Sequence, residues 1–109
     1  MANWALITYT RESTDKAWYE PSDTIKDKVV EYQNTDPKKI VHYETTVSAN
    51  GLKKYFKIGF LDSDTALAFG NTDEMIASRE QRDNFCNNAD NGVTYSIDRA
   101  LEVEPSIPA

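Results

Sequence analysis

The stretch from Lys39 to Leu61 decides the fold, because it has the pattern of two strands joined by a tight turn. Lys39-Ile-Val-His-Tyr-Glu-Thr-Thr-Val-Ser48 and Leu52-Lys-Lys-Tyr-Phe-Lys-Ile-Gly-Phe-Leu61 flank the dipeptide Asn50-Gly51. Asn-Gly is the strongest short signal for a hairpin, since both residues tolerate the positive φ that a two-residue turn needs. We therefore predict a two-residue loop at Asn50-Gly51, which sets the register of the two strands.

The predicted register gives the hairpin one apolar face and one polar face. The apolar face pairs Val41 with Phe60, Tyr43 with Ile58 and Thr45 with Phe56. The polar face pairs His42 with Gly59, Glu44 with Lys57 and Thr46 with Tyr55. Because a glycine has no side chain, we expect space beside His42 for a ligand or for a packed neighbour.

The elements on either side of the hairpin complete one α+β domain. Residues 3–10 are apolar on both alternating sets, which is typical of a central strand. Ser22 or Asp23 can cap a first helix, and further caps at Asp62-Ser63 and at Thr72 predict two helices after the hairpin. Residues 93–98 alternate as a last strand. This order predicts a ferredoxin-like βαββαβ fold, a four-stranded antiparallel sheet with its helices on one face.

The chain resembles the dimeric α+β barrel superfamily of ferredoxin-like proteins. The resemblance spans residues 3–98 and rests on element order, together with the capped Ala-Leu-Ala-Phe helix at residues 66–69 directly after the third strand. It implies that two sheets pair through their helix-free faces. The superfamily includes cofactor-free monooxygenases, haem-degrading enzymes, small-molecule isomerases and proteins with no known activity, so the fold alone does not choose a function.

A symmetric homodimer is also predicted from the apolar residues themselves. Either Trp4 and Leu6, or the alternating set that contains Ile7, must point away from the helices, and we expect Ile40 and Leu61 beside them on the polar face of the hairpin. A monomer would leave this apolar strip in water, which is unusual for a soluble chain. A second copy related by a twofold axis would cover it.

Composition narrows the classes of partner. The 109 residues suit one domain, expected over residues 1–100, with an extended tail at residues 101–109. A net charge of −6 argues against binding to nucleic acid and to acidic membranes. No stretch is long enough to span a bilayer, and a lone Cys86 fits a reducing compartment, so we expect a cytoplasmic protein. With one His and one Cys, no metal or other cofactor is expected.

His42 is the only histidine and therefore the candidate general base, with Tyr55 or Glu44 assisting. Lys57 and Gly59, opposite Glu44 and His42, are candidate ligand contacts. The alternative is structural: an interface histidine and a cross-strand ion pair between Glu44 and Lys57.

The aromatic pair Trp18-Tyr19 follows a charged loop and is a second candidate for ligand binding. These side chains either form a lid over a groove between the helices and the sheet, or close one end of the core. Packing is the simpler interpretation.

Three functions are compatible with these patterns. The first is a small accessory or interaction module that self-associates through its sheet. The second is a cofactor-free enzyme, of the monooxygenase or isomerase type, acting on a small hydrophobic molecule in an enclosed apolar pocket beside His42. The third is an acidic decoy that binds a basic protein.

Overall fold

Strands and helices follow one another in the predicted order in the computed structural model, which describes residues 1–108. The strands are β1 (Asn3–Arg11), β2 (Ile40–Val47), β3 (Lys53–Phe60) and β4 (Val93–Leu101). The helices are α1 (Asp23–Gln33), α2 (Ser63–Gly70) and α3 (Asp73–Asn87), with a single 3-10 turn at Ala89–Asn91. None of the helices within residues 1–108 is both long and apolar enough to cross a membrane.

The sheet confirms the ferredoxin-like α+β fold. Its strand order is β2-β3-β1-β4, and every neighbouring pair is antiparallel. β1 is central, as its apolarity on both faces predicts. Each helix begins where a cap is predicted: the side chains of Ser22, Asp62 and Thr72 each accept a hydrogen bond from a backbone N–H in the first turn.

The core lies between the sheet and the helices, in two clusters. One cluster joins α1 and α2 to the sheet and consists of Val29, Tyr32, Ile40, Phe60 and Phe69. The other lies nearer α3 and consists of Tyr9, Tyr19, Phe56 and Val93. Contacts between aromatic rings stabilise the first cluster: the Phe69 ring lies edge-on to Tyr32 at 5.0 Å and tilted to Phe60 at 5.3 Å. All of the strand residues in both clusters point to the same face of the sheet.

The hairpin loop is longer than predicted but keeps the predicted register. Ser48 N donates to Lys53 O at 2.8 Å and Gly51 N donates to Ser48 O at 2.9 Å, so four residues form the loop. Within it only Gly51 has a positive φ, 75°. The Asn50 side chain instead accepts hydrogen bonds from Ser48 Oγ and Leu52 N. The predicted two-residue turn is therefore wrong. The predicted loop and the observed four-residue loop have the same centre, so the strand pairs from His42 to Val47 match the prediction.

A β-bulge changes the start of β2. The register shifts between Ile40 and His42, so Phe60 pairs with Ile40 and not with Val41. Ile40 is consequently 1% exposed in the core, whereas Val41 is 46% exposed. The predicted Val41–Phe60 pair and the placement of Ile40 on the polar face are both wrong. The extra residue in a bulge moves the side chains before it to the other face of the sheet.

The C-terminal segment, residues 102–108, returns across the helix-free face of the sheet. It contains no helix or strand, but the Glu104 carboxylate lies 2.5 Å from Lys57 Nζ in the middle of β3. Leu6 and Tyr55 lie on this face and are only 8% and 4% exposed, although no helix covers them. In the returning segment, Pro105 and Ile107 are half-buried.

Candidate functional site

The space above Gly59 is filled by the indole ring of Trp4. The two residues pair across β1 and β3, and a Cβ built on Gly59 would lie 2.7 Å from Cζ3 of Trp4. The room left by the missing side chain therefore holds the packed ring of Trp4. Trp4 and Leu6 are the apolar members of β1 that point away from the helices, and both are buried within the single chain.

Four charged or titratable side chains form a continuous network beside this ring. His42 Nε2 lies 3.4 Å from Glu44 Oε1, which lies 3.9 Å from Lys57 Nζ. Lys57 also contacts Glu104, and its Nζ is 5.5 Å from the centre of the Trp4 ring. The hydrogen bond from Lys57 lowers the pKa of Glu104. The structure thus brings the predicted residues His42, Glu44 and Lys57 together, as links between the sheet and the C-terminal segment.

Tyr55, the remaining residue of the predicted catalytic set, lies on the same face as Lys57 and opposite Thr46. Only 4% of its surface is exposed. No residue beyond the single chain is needed to bury it.

Trp18 and Tyr19 lie with the core on the other face of the sheet. The Tyr19 ring stacks at 6.2 Å on Tyr9 and lies 5.5 Å from Phe85, and its hydroxyl donates to Ser78 O at 3.4 Å. The guanidinium of Arg11 lies 4.4 Å from the Trp18 ring. Tyr19 is a member of the core and Trp18 packs against it, and the structure does not bring the two residues to His42.

A cavity of about 420 Å³ lies between the sheet and helices α2 and α3. Most of its lining is apolar and comes from both layers: Ala5, Ile7, Ile58, Phe60 and Ile97 from the strands, and Ala66, Leu67, Phe69 and Met75 from the helical side. The sequence suggested a groove between the helices and the sheet only beneath Trp18 and Tyr19; neither residue lines this cavity, and its lining was not predicted. The available signal is the pair of small residues Ala66 and Gly70 on successive turns of α2, which leaves room beneath that helix.

The charged residues that line the cavity are all arginines. Arg79, Arg82 and Arg99 contribute to its wall, and no aspartate or glutamate does, although the whole chain carries a net charge of −6. Arg79 Nη1 donates to the carbonyl oxygen of Gly70 at 2.7 Å. Arg99 is exposed near the end of β4, next to Ala100, whose φ of 56° lies in the left-handed region.

Arg82 is 6% exposed, and its Nε has no hydrogen-bond partner within residues 1–108. Its guanidinium carbon lies 4.2 Å from the centre of the Tyr95 ring, and Nε lies 3.8 Å from the Asp83 carboxylate, too far for a hydrogen bond. Burial raises the pKa of nearby Tyr9 to about 12, against the opposing effect of the Arg82 charge. The Tyr9 phenol is therefore neutral at physiological pH.

Within residues 1–108, no group of three or more His, Cys, Asp or Glu side chains is placed to hold a metal ion. The cavity combines a mostly apolar lining with cationic hydrogen-bond donors in its wall.

These features define a ferredoxin-like α+β protein with a cavity between sheet and helices. Solved structures share the fold. The protein Rv0793 from Mycobacterium tuberculosis superposes with a TM-score of 0.53 at 11% identity, covering 98% of each chain. A conserved protein of unknown function, possible oxidoreductase, from Bacteroides thetaiotaomicron has a TM-score of 0.52 at 8% identity, covering 90% of this chain and 94% of its own.

Identities this low show a shared fold and do not transfer an activity. A dimeric ferredoxin-like protein of unknown function from Jannaschia sp. aligns at 12% identity and a TM-score of 0.49, over 92% of this chain and 99% of its own. No protein-family model and no curated protein matches the sequence.

Proposed function

We propose that this protein is a small ligand-binding module that takes a hydrophobic molecule into the cavity between its sheet and helices α2 and α3. The observation that supports the proposal is the cavity itself, whose volume of about 420 Å³ lies within the usual range of small-molecule sites. An apolar ligand gains free energy by leaving water for a site lined by Ile7, Phe60, Phe69 and Ile97.

The alternative of an enzyme centred on His42 has less support. That hypothesis requires an enclosed apolar pocket beside His42 and Gly59, and the Trp4 ring occupies the position above Gly59. The side chains of His42 and Glu44 are 38% and 42% exposed. A general base in such a position would stay in contact with water, and the hydrophobic cavity lies on the opposite face of the sheet.

The binding proposal is tested by titrating 1-octanol into the ¹⁵N-labelled protein and following amide chemical shifts. We expect saturable changes at residues around the cavity. Ala66→Phe should abolish them, because Ala66 lines the cavity and the added ring would fill it. Ala77→Phe is the matched control, since Ala77 is exposed on α3 and lies outside the lining. Unchanged octanol binding in Ala66→Phe would contradict the proposal.

We further propose that two copies self-associate through their helix-free faces when the C-terminal segment is displaced. The supporting observation is that Trp4, Leu6 and Tyr55 are large side chains that the single chain buries on a face without helices. The segment is tied there through Glu104 and Lys57. Its release would expose these side chains, and a second copy would cover them again.

Sedimentation velocity at micromolar concentration tests this second proposal in the full-length chain. Glu104→Arg places a cation beside Lys57 and should release the segment, so we expect a larger fraction of dimer than in the parent chain. Glu102→Arg makes the same change in charge at an exposed position and should leave the parent distribution. A species of single-chain mass for Glu104→Arg at all concentrations would overturn the proposal.

A further inference from the structure

We propose that the ligand of the cavity is an amphipathic carboxylate, with an apolar body and one anionic head bound by Arg82, Arg79 and Arg99. This inference rests on the proposed function, because it assigns a chemical class to the molecule in that site. The observation behind it is the charge of the wall, where three arginines and no carboxylate line an apolar volume in a chain with a net charge of −6.

Arg82 is a buried cation that has, among the residues that the structure describes, an unpaired hydrogen-bond donor. A guanidinium is charged at every physiological pH, and leaving one of its N–H groups buried without an acceptor costs free energy. Arg82 Nε is in that state within residues 1–108. The Asp83 carboxylate, at 3.8 Å, offsets part of the charge without accepting a hydrogen bond. Arg82 also lines the cavity, so an anionic oxygen bound there would lie beside its guanidinium group.

Arg79 and Arg99 also favour an anionic ligand. Arg79 Nη1 donates a hydrogen bond to the carbonyl oxygen of Gly70. A guanidinium has five N–H groups, so Arg79 has further donors for a ligand. Arg99 is exposed, so it adds positive potential at the rim and does not require desolvation. Together these groups favour an anion over a neutral ligand and disfavour a cation.

The apolar lining determines the chemistry of the rest of the ligand, which must be uncharged and hydrophobic. Ile7, Ile58, Phe60 and Ile97 provide no charge and little hydrogen bonding, so a second anionic group placed against them would lose hydration without compensation. A single head group at the arginines and a hydrocarbon body along the strands satisfies both regions. Fatty acids of medium length and aromatic monocarboxylates have this chemistry.

The test compares octanoate with 1-octanol, which have the same chain length and differ in the charge of the head group. Dissociation constants are measured from amide shifts at neutral pH and fixed ionic strength. We expect octanoate to bind the parent chain at least about tenfold more tightly, as a charge-assisted hydrogen bond warrants. Arg82→Met and Arg79→Gln should each reduce the ratio of octanoate affinity to 1-octanol affinity. Lys26→Gln, exposed on α1, should keep the full preference.

The outcomes separate this inference from the proposed function. If octanol and octanoate bind the cavity equally, the hydrophobic site stands and the carboxylate assignment is wrong. A preference for octanoate that survives in Arg79→Gln, Arg82→Met and Arg99→Gln also overturns the assignment. If neither compound shifts the cavity residues, the proposed function fails and the inference fails with it. Should Arg82→Met not fold, the half-buried Arg79 and the exposed Arg99 decide the question.

Discussion

The indole ring of Trp4 occupies the position that a side chain at residue 59 would take, so Trp4 and Gly59 form one packing unit across β1 and β3. His42 joins the same unit from β2, with its ring 5.6 Å from the indole. Residue 59 is a glycine because any larger side chain would overlap the ring of Trp4 opposite it. Because the indole needs the room that Gly59 leaves, the two positions are energetically coupled.

Gly59→Ala should destabilise the fold by about 1–3 kcal/mol, the usual cost of overpacking. The new Cβ would lie 2.7–3.0 Å from three ring carbons of Trp4. Gly70→Ala is the matched control, because a Cβ there meets only Arg79 Nη1 at 3.7 Å and the residue ends α2. Urea unfolding measures both variants. Equal stability of Gly59→Ala and the parent would show that the indole is free to move.

Ile40→Ala should cost about 2–5 kcal/mol, whereas Val41→Ala should change stability by less than about 0.5 kcal/mol. The bulge places Ile40 in the core and leaves Val41 46% exposed. A regular hairpin would give the opposite ranking, with Val41 facing Phe60. Thermal and urea unfolding of the two variants therefore test the bulge directly, and a larger loss from Val41→Ala would contradict it.

Gly51→Val should destabilise the domain by about 1–2 kcal/mol, because a β-branched residue is unfavourable at the φ of 75° found there. Gly51→Asn is the control. Both substitutions place a Cβ 3.2 Å from Thr14 Cγ2, but asparagine tolerates the left-handed region. The difference between the two unfolding free energies isolates the backbone conformation. Equal effects would mean that contact with Thr14, and not φ, sets the cost.

Docking of the C-terminal segment should weaken in acid. The hydrogen bond from Lys57 lowers the pKa of Glu104 below its ordinary 4.5, so the contact favours the folded arrangement above that pH. The contribution is lost as the pH falls through the lowered value, when the carboxylate is protonated. Tryptophan fluorescence of a Trp18→Phe variant reports the change, since Trp4 is then the only tryptophan and lies beside Lys57.

Glu104→Gln in the same background provides the control for that titration. It removes the ionisable group and should remove the fluorescence transition below pH 4.5. A transition that persists unchanged in Glu104→Gln would assign it to another carboxylate, of which Glu44 is the nearest to Lys57 outside the segment.

Much of the fold was predictable because its signals are local. Ser22, Asp62 and Thr72 each satisfy backbone N–H groups a few residues away, so their spacing from the helices is visible in the sequence. The register from His42 to Val47 follows from the centre of one short loop. The central place of β1 follows from its apolar residues, which require cover on both faces.

Features that depend on contacts distant in sequence were decided only by the tertiary structure. The bulge lets Ile40 pack against Phe60 and against α1, and no local sequence pattern predicts it. The Trp4 ring fills the space at Gly59 from 55 positions away in the chain, and Glu104 reaches Lys57 across 47. The cavity with its arginines is assembled from β1, β3, β4, α2 and α3. Such contacts depend on how separate elements pack, and that packing is not encoded in any single stretch of sequence.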